Sequence, residues 1–352
     1  MERFQRKGLY IGLALAVAAV GLAACSVSSG PGEEPDDEDL PVVYTSGACS
    51  DGSFYFPCYW KGTARTDLPG DVTFGGGATS VFVSGGTVYT SGYSYDGASY
   101  IPCYWAGTTR TVLPSVGSEA QAACIFVSGG TVYTAGYYDD GSISVPCYWT
   151  GTVRTDLPCG EAEGGEALSV FVSEGTVYTA GYYYDGSRRV PCFWTGDART
   201  DLSDDLYGSA TAIFVSGGTV YVAGYYDHEL EMVFIPCYWA GAARTDLLPV
   251  WFDGGAAFSV YVTGDTVYTA GYSYEGIVPF ACFWTGTVWT ELPGEGTYHS
   301  RAYSIFVSEM TAYTAGFYYN GSMAIPCYWK STARTDLPAM GHSAVASGIF
   351  VD

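Results

Sequence analysis

One four-residue run recurs seven times at an almost constant interval, and that interval leaves few folds open. The run is Pro/Ala-Cys-Tyr/Phe-Trp. Its cysteines are Cys58, Cys103, Cys147, Cys192, Cys237, Cys282 and Cys327, so the successive spacings are 45, 44, 45, 45, 45 and 45. A second run, Ile/Val-Phe/Tyr-Val, starts at Val81, Ile125, Val170, Ile213, Val260, Ile305 and Ile349. A unit this short cannot bury its own hydrophobic faces and must stack on its neighbours. The 352 residues therefore hold one repeat array, although that length alone would suggest two or three domains.

In the unit spanning residues 169–202 the pattern predicts four short strands: a over 169–173, b over 176–184, c over 189–195 and d over 198–202. Ser-Glu-Gly and Thr-Gly mark the a–b and c–d turns, and Asp185-Gly186 marks the b–c hairpin. The 47 glycines and 32 tyrosines suit short strands and tight turns. In a helix each glycine would cost about 1 kcal/mol relative to alanine. Four strands per unit, repeated seven times, predict an all-β, seven-bladed β-propeller of four-stranded blades. The first repeat lacks strand a and begins at strand b, Val42-Val43-Tyr44-Thr45. The chain finishes on a spare strand a, Ile349-Phe350-Val351-Asp352. That last strand is expected to complete the first blade and remove the open edges of the ring. Strand a is expected nearest the axis, where blades crowd. Small residues recur there: Ser80, Cys124, Ser169, Ala212, Ser259, Ser304 and Gly348. An alanine stands two residues before each: Ala78, Ala122, Ala167, Ala210, Ala257, Ala302 and Ala346.

Thr-Val-Tyr-Val-Ala-Gly (219–224), preceded by an apolar strand and a glycine turn, distantly resembles the kelch repeat. Trp289-Thr290-Glu291-Leu292-Pro293 is similar to the kelch strand-d ending. Two features depart from that family. Its paired glycines are here a single glycine followed by Tyr or Phe in most blades, and the strand-d tryptophan is arginine in the other six repeats. The units look closer to tandem-repeat propellers of uncharacterised bacterial envelope lipoproteins. The resemblance covers residues 42–352 and implies the fold without implying an activity.

A basic leader, residues 1–7, precedes an apolar run from Gly8 to Leu22 that is too short for a stable membrane-spanning helix. The run ends in Leu22-Ala23-Ala24-Cys25, which resembles a lipobox. That resemblance implies cleavage before Cys25, diacylation of its thiol and a membrane partner through the lipid anchor. Residues 1–24 are thus expected to be a lipoprotein signal peptide. Residues 25–41 are read as the lipidated cysteine and an acidic, disordered tether, and 42–352 as the propeller. Export to the bacterial cell envelope follows, with Ser26 compatible with the outer membrane or cell surface.

The net charge is −22; without residues 1–24 the chain keeps 11 basic and 35 acidic residues, a net of −24. Such a surface repels phosphate backbones, which argues against a nucleic-acid partner. The seven strand-c cysteines occupy one equivalent place per blade, beyond the roughly 7 Å Cα limit for a bridge. They read as small buried hydrophobes. Cys124 fills a small strand-a slot. Cys49 and Cys159 fall outside the repeat and form the one pair to test as a disulfide. Arg-Thr-Asp recurs on strand d at Arg65/Asp67, Arg154/Asp156, Arg199/Asp201, Arg244/Asp246 and Arg334/Asp336. Alternation puts both charges of a pair on one face, which reads as an exposed ladder on the outer strands.

The b–c and d–a loops share one end of the ring and vary among repeats, so a ligand site is expected at that mouth. Its candidate residues are Asp204, Asp205, Tyr207, Trp251, Phe252, Asp253, Tyr298, His299, Arg301 and His342. Exposed aromatics beside acids suit a glycan or protein ligand. The expectation is a monomeric binding module anchored to a membrane. Two alternatives stay open. One is a hydrolase using carboxylates such as Asp204, Asp205 and Asp253. The other is a multivalent adhesin or structural surface protein with a weak site in each inter-blade cleft. The sequence contains no Gly-x-Ser-x-Gly elbow, His-Glu-x-x-His run or EF-hand loop, and no catalytic residue, cofactor or metal is assigned. A three-histidine metal site is disfavoured because His228 sits on a b–c loop, farther from the axis than His299 and His342.

Overall fold

Each repeat folds into one antiparallel four-stranded sheet, and there are seven sheets in the computed structural model of the chain. The described residues are 41–70, 74–160, 164–186, 188–203, 207–227, 233–248, 252–295 and 299–352. The leader, Cys25 and the tether through Leu40 lie outside them, as do Asp204, Asp205, His228, Trp251 and Tyr298.

Blade 1 joins the two ends of the array. It contains β1 (Val43–Ser50), β2 (Tyr55–Lys61), β3 (Ala64–Asp67) and β28 (Ala344–Val351), in the order β28-β1-β2-β3. The pairing of β28 with β1 runs from Val43↔Val351 to Cys49↔Ala344, so the spare strand closes the ring as expected. The other blades follow chain order, each opened by its innermost strand. These strands are β4 (Gly76–Ser84), β8 (Ala120–Ser128), β12 (Gly165–Ser173), β16 (Tyr207–Ser216), β20 (Gly254–Thr263) and β24 (Ser300–Ser308).

The innermost strand is longer than the sequence pattern suggested. Strand β12 starts at Gly165 rather than 169, and it carries a bulge. Ala167 pairs with Gly181 and Ser169 with Ala180, which leaves Leu168 unpaired. The same bulge recurs in every blade, at Thr79, Ala123, Leu168, Thr211, Phe258, Tyr303 and Ser347. It explains the glycine on each second strand. A Cβ at Gly181 would fall on the Glu166 carbonyl oxygen, and Gly271 faces the Ala256 carbonyl in the same way. The b–c hairpin of blade 4 turns one residue later than expected, because Asp185 pairs with Arg188.

The core consists of layers between blades. Trp60, Trp105, Trp149, Trp194, Trp239, Trp284 and Trp329 are all buried there. Six of their indole N–H groups donate to a carbonyl just beyond the last strand of the preceding blade. Trp105 reaches Pro69 at 2.7 Å and Trp284 reaches Leu247 at 2.8 Å, and the series closes with Trp60 on Pro338 at 3.0 Å. Each of these six buried indoles therefore stitches one blade to the next while satisfying its own donor, whereas the Trp239 N–H is buried without a partner among the described residues.

The innermost strands also contribute seven rings that close on one another: Phe82, Phe126, Phe171, Phe214, Tyr261, Phe306 and Phe350. Neighbouring centroids are 4.8–5.0 Å apart. Their interplanar angles of 46–56° are close to one seventh of a turn, so the ring planes stand along the axis. This collar narrows the channel.

The strand-c cysteines are buried, as expected, and burial pushes their thiols up. Cys49 and Cys159, the pair singled out for testing as a disulfide, are both free thiols. Alternation puts Cys49 on the same face as Cys58 of the adjacent strand, with their sulfurs 3.4 Å apart. Cys159 lies beyond the last strand of blade 3, with its thiol against the Gly160 carbonyl. The Arg–Asp pairs do form, at 2.8–3.0 Å. They do more than line an edge: Arg154 also lies 3.8 Å over the Tyr138 ring, and the Tyr138 hydroxyl donates to Asp156 at 3.1 Å. Arg199 with Tyr183, Arg244 with Tyr226 and Arg334 with Tyr318 repeat this arrangement.

Candidate functional site

The bulge decides what faces the axis. It turns the unpaired side chain off the ladder of the innermost strand. Around the ring these side chains differ: Thr79, Thr211 and Ser347 carry hydroxyls, Ala123 a methyl, Leu168 an isobutyl group, and Phe258 and Tyr303 aromatic rings. Three residues further along each strand, about 10 Å deeper, the aromatic collar repeats around the whole ring. Sevenfold regularity is thus kept at the collar and abandoned above it.

A cavity of about 470 Å³ occupies this irregular layer. It is lined by Thr79, Glu166, Leu168, Tyr182, Arg189, Ser209, Thr211, Tyr225, Phe258, Tyr303, Val345 and Ser347. Its size falls within the range of small-ligand sites. The hydroxyls of Thr79, Thr211 and Ser347 each donate to an alanine carbonyl of the next blade at 2.7 Å, which fixes their oxygens in place. On one side Phe258 lies 5.5 Å from Tyr303 and 5.6 Å from Tyr272, a continuous aromatic wall. On the other side Arg189 is clamped. Its guanidinium lies 4.6 Å from the Tyr182 centroid and 5.5 Å from that of Tyr225. Its Nε donates to the Gly208 carbonyl at 3.1 Å, and it also donates to the Tyr225 hydroxyl.

Glu166 is the one carboxylate among the described lining residues. Burial pushes its carboxyl up, while the Tyr182 hydroxyl and the Arg189 charge pull it back. The Tyr182 hydroxyl is pushed up by its own burial and by Glu166, so it stays a neutral donor. Aromatic faces, fixed hydroxyls, one guanidinium and one carboxyl can stack on a C–H face and exchange hydrogen bonds with a polyhydroxylated ligand. The described lining does not itself supply the carboxylate pair that glycoside hydrolysis uses.

The sequence-predicted residues divide by their distance from this cavity. Tyr207 opens β16 and its ring centroid lies 5.0 Å from the Arg189 guanidinium, at the cavity rim. Arg301 lies 4.9 Å over Tyr272, behind the aromatic wall. His299 stacks on Tyr319 at 4.8 Å and meets Phe317, which in turn lies 6.0 Å from Tyr303. Phe252 packs on Trp289 at 4.9 Å, and the Asp253 carboxylate accepts from the Gly276 amide at 2.7 Å. Within blade 6, the first of these contacts joins a loop to the outer strand and the second joins two loops. His342 is exposed and lies over Gly52 in the b–c turn of blade 1. Sequence reasoning missed Glu166, Arg189 and the bulged residues. The available signal was the single variable position between the recurring alanine and the recurring small residue.

No family model matches the sequence, nor does any curated protein. Among solved structures, a fucose lectin from Kordia zhangzhouensis in complex with methyl-fucoside is similar at 14% identity and a TM-score of 0.27. That likeness covers 35% of this chain and 94% of the lectin, and at such a score it carries no functional weight.

Proposed function

We propose that the propeller is a glycan-binding module whose ligand seats in the axial cavity, and that an acylated Cys25 holds it on a bacterial envelope membrane. The observation that carries the binding reading is the loss of sevenfold regularity at the cavity layer. A purely structural ring has no reason to place Phe258 and Tyr303 on one side and Glu166 with Arg189 on the other. The anchor reading rests on the basic leader, the apolar run and Leu22-Ala23-Ala24-Cys25.

The test is calorimetric titration of residues 41–352 with glycans selected on an array. One ligand is expected per ring, because the cavity draws its lining from several blades around the axis rather than from one repeat. Glu166→Gln and Tyr303→Ala are each expected to weaken binding at least ~10-fold, the loss typical of a hydrogen bond to a charged group or a buried aromatic contact. Arg334→Gln, on an outer strand, is expected to leave binding intact. Absence of binding across the array, or binding indifferent to both cavity variants, would reject the reading. Several equivalent ligands per ring would replace it with multivalent clefts. For the anchor, incorporation of labelled fatty acid into the full chain and its loss in Cys25→Ala is the expected result.

A further inference from the structure

A second cavity, about 140 Å³, opens between blades 2 and 3 and is lined by Tyr93, Tyr100, Glu119, Ala120, Gln121 and Tyr137. The repeat supplies its counterpart between blades 4 and 5. Tyr93 and Tyr182 both follow the strand-b glycine, and Tyr137 and Tyr225 hold that place in the next blade. Tyr100 and Arg189 both stand three residues before the strand-c cysteine. Glu119 and Tyr207 both stand four residues before the bulge.

In the blade 4–5 cleft the chain fills the space with its own cation. The Arg189 guanidinium lies among the rings of Tyr182, Tyr207 and Tyr225, at 4.6, 5.0 and 5.5 Å from their centroids. In the blade 2–3 cleft the tyrosine walls remain and Glu119 adds a negative charge, but none of the six lining residues is cationic. Tyr100 packs edge-on against Tyr93 at 5.5 Å and tilts on Tyr95 at 4.7 Å, which holds the wall in place. The Tyr137 hydroxyl donates to the Gln121 amide oxygen at 3.4 Å. Burial pushes the Tyr137 and Tyr93 hydroxyls up, so both rings stay neutral. The net charge of −22 draws cations toward the whole surface.

We propose that the cleft between blades 2 and 3 binds an organic cation, a guanidinium or alkylammonium group, in the position that Arg189 occupies between blades 4 and 5. The site uses none of the residues of the axial cavity, so it stands or falls separately from glycan binding.

The experiment is calorimetric titration of the full-length chain at constant ionic strength. The probes are N-methylguanidinium chloride and tetramethylammonium chloride, with tert-butanol as the neutral control of similar shape. Saturable binding of the cations is expected, with weak affinity befitting cation–π contacts at a half-open site. Tert-butanol is expected not to bind. Tyr100→Arg places a guanidinium where Arg189 has one and is expected to weaken binding at least ~10-fold by filling the cage. Tyr100 is already 42% exposed, so the ring can accept the change. Glu119→Gln, at an exposed carboxylate, is expected to weaken cations a few-fold. A Gly-Arg-Gly tripeptide binding more tightly than N-methylguanidinium would assign the site to an arginine side chain, and weaker binding would assign it to a free cation. Absence of saturable binding, equal binding of tert-butanol, or full binding by Tyr100→Arg would overturn the proposal.

Discussion

Glu166 shows how one side chain couples the cavity to stability. Burial raises its folded-state pKa above the usual value of 4.5, so the folded chain holds that proton more tightly than the unfolded chain does. The stability this contributes is fully present below about pH 4.5 and is lost as pH rises through the raised value. Glu166→Gln removes the titration. At pH 7 the variant is expected to melt above the parent chain, and acidification to pH 4 is expected to shrink the difference. Thermal unfolding at the two pH values measures this, and an equal difference at both would show that Glu166 titrates normally. The same substitution is expected to weaken glycan binding, so stability and binding are opposed at this position. The variable residue beside each recurring alanine was visible in the sequence. Its direction was not, because a bulge is defined by pairing with the next strand rather than by local composition.

The bulged innermost strand is the element that makes the site. A carbonyl displaced at each bulge comes so close to the second strand that glycine alone fits opposite it: Gly271 faces the Ala256 carbonyl. Gly271→Ala is therefore expected to cost about 3 kcal/mol or more, as forced backbone displacement does. Gly107→Ala, in an open c–d turn at φ +58 with nothing near its Cβ, is expected to cost about 1–2 kcal/mol from the left-handed conformation alone. Denaturant unfolding of the two variants separates close approach from backbone conformation; equal losses would remove the steric account. Four strands per repeat and their turns, the blade 4 b–c turn to within one residue, were legible from local turn signals, and the burial of the strand-c cysteines from their one equivalent place per blade. The start of the innermost strand was not. Its first residues, such as Gly165 and Glu166, look like loop until Tyr182 and Tyr183 are known to pair with them. The Cys49–Cys58 contact was legible in principle, since hairpin register brings the two onto one face.

At the scale of the whole ring, closure depends on the last strand in three ways. It pairs with β1, it supplies Phe350 to the aromatic collar, and Ser347 donates to the Ala78 carbonyl across the next interface. Deleting residues 349–352 removes Phe350 and three of the seven paired positions, Val43↔Val351 to Thr45↔Ile349. The deletion is expected to lower Tm by about 10 °C or more and to broaden the transition, as an opened array loses cooperativity. Scanning calorimetry checks this, and an unchanged sharp transition would mean that side-chain stitching such as Trp60 to Pro338 closes the ring alone. Closure was readable from the sequence because one strand was missing and one was spare. The cavity was not, since it belongs to no single repeat. Blade 1 takes its strands from residues 43–67 and 344–351, so its first strand leaves the ribosome long before the partner that covers it. During synthesis β1 presents a bare edge to any passing strand, including the final strand of another copy. Completion of the blade is thus a race between chain elongation and misplaced exchange, and any helper that shields nascent edges would act on this strand first.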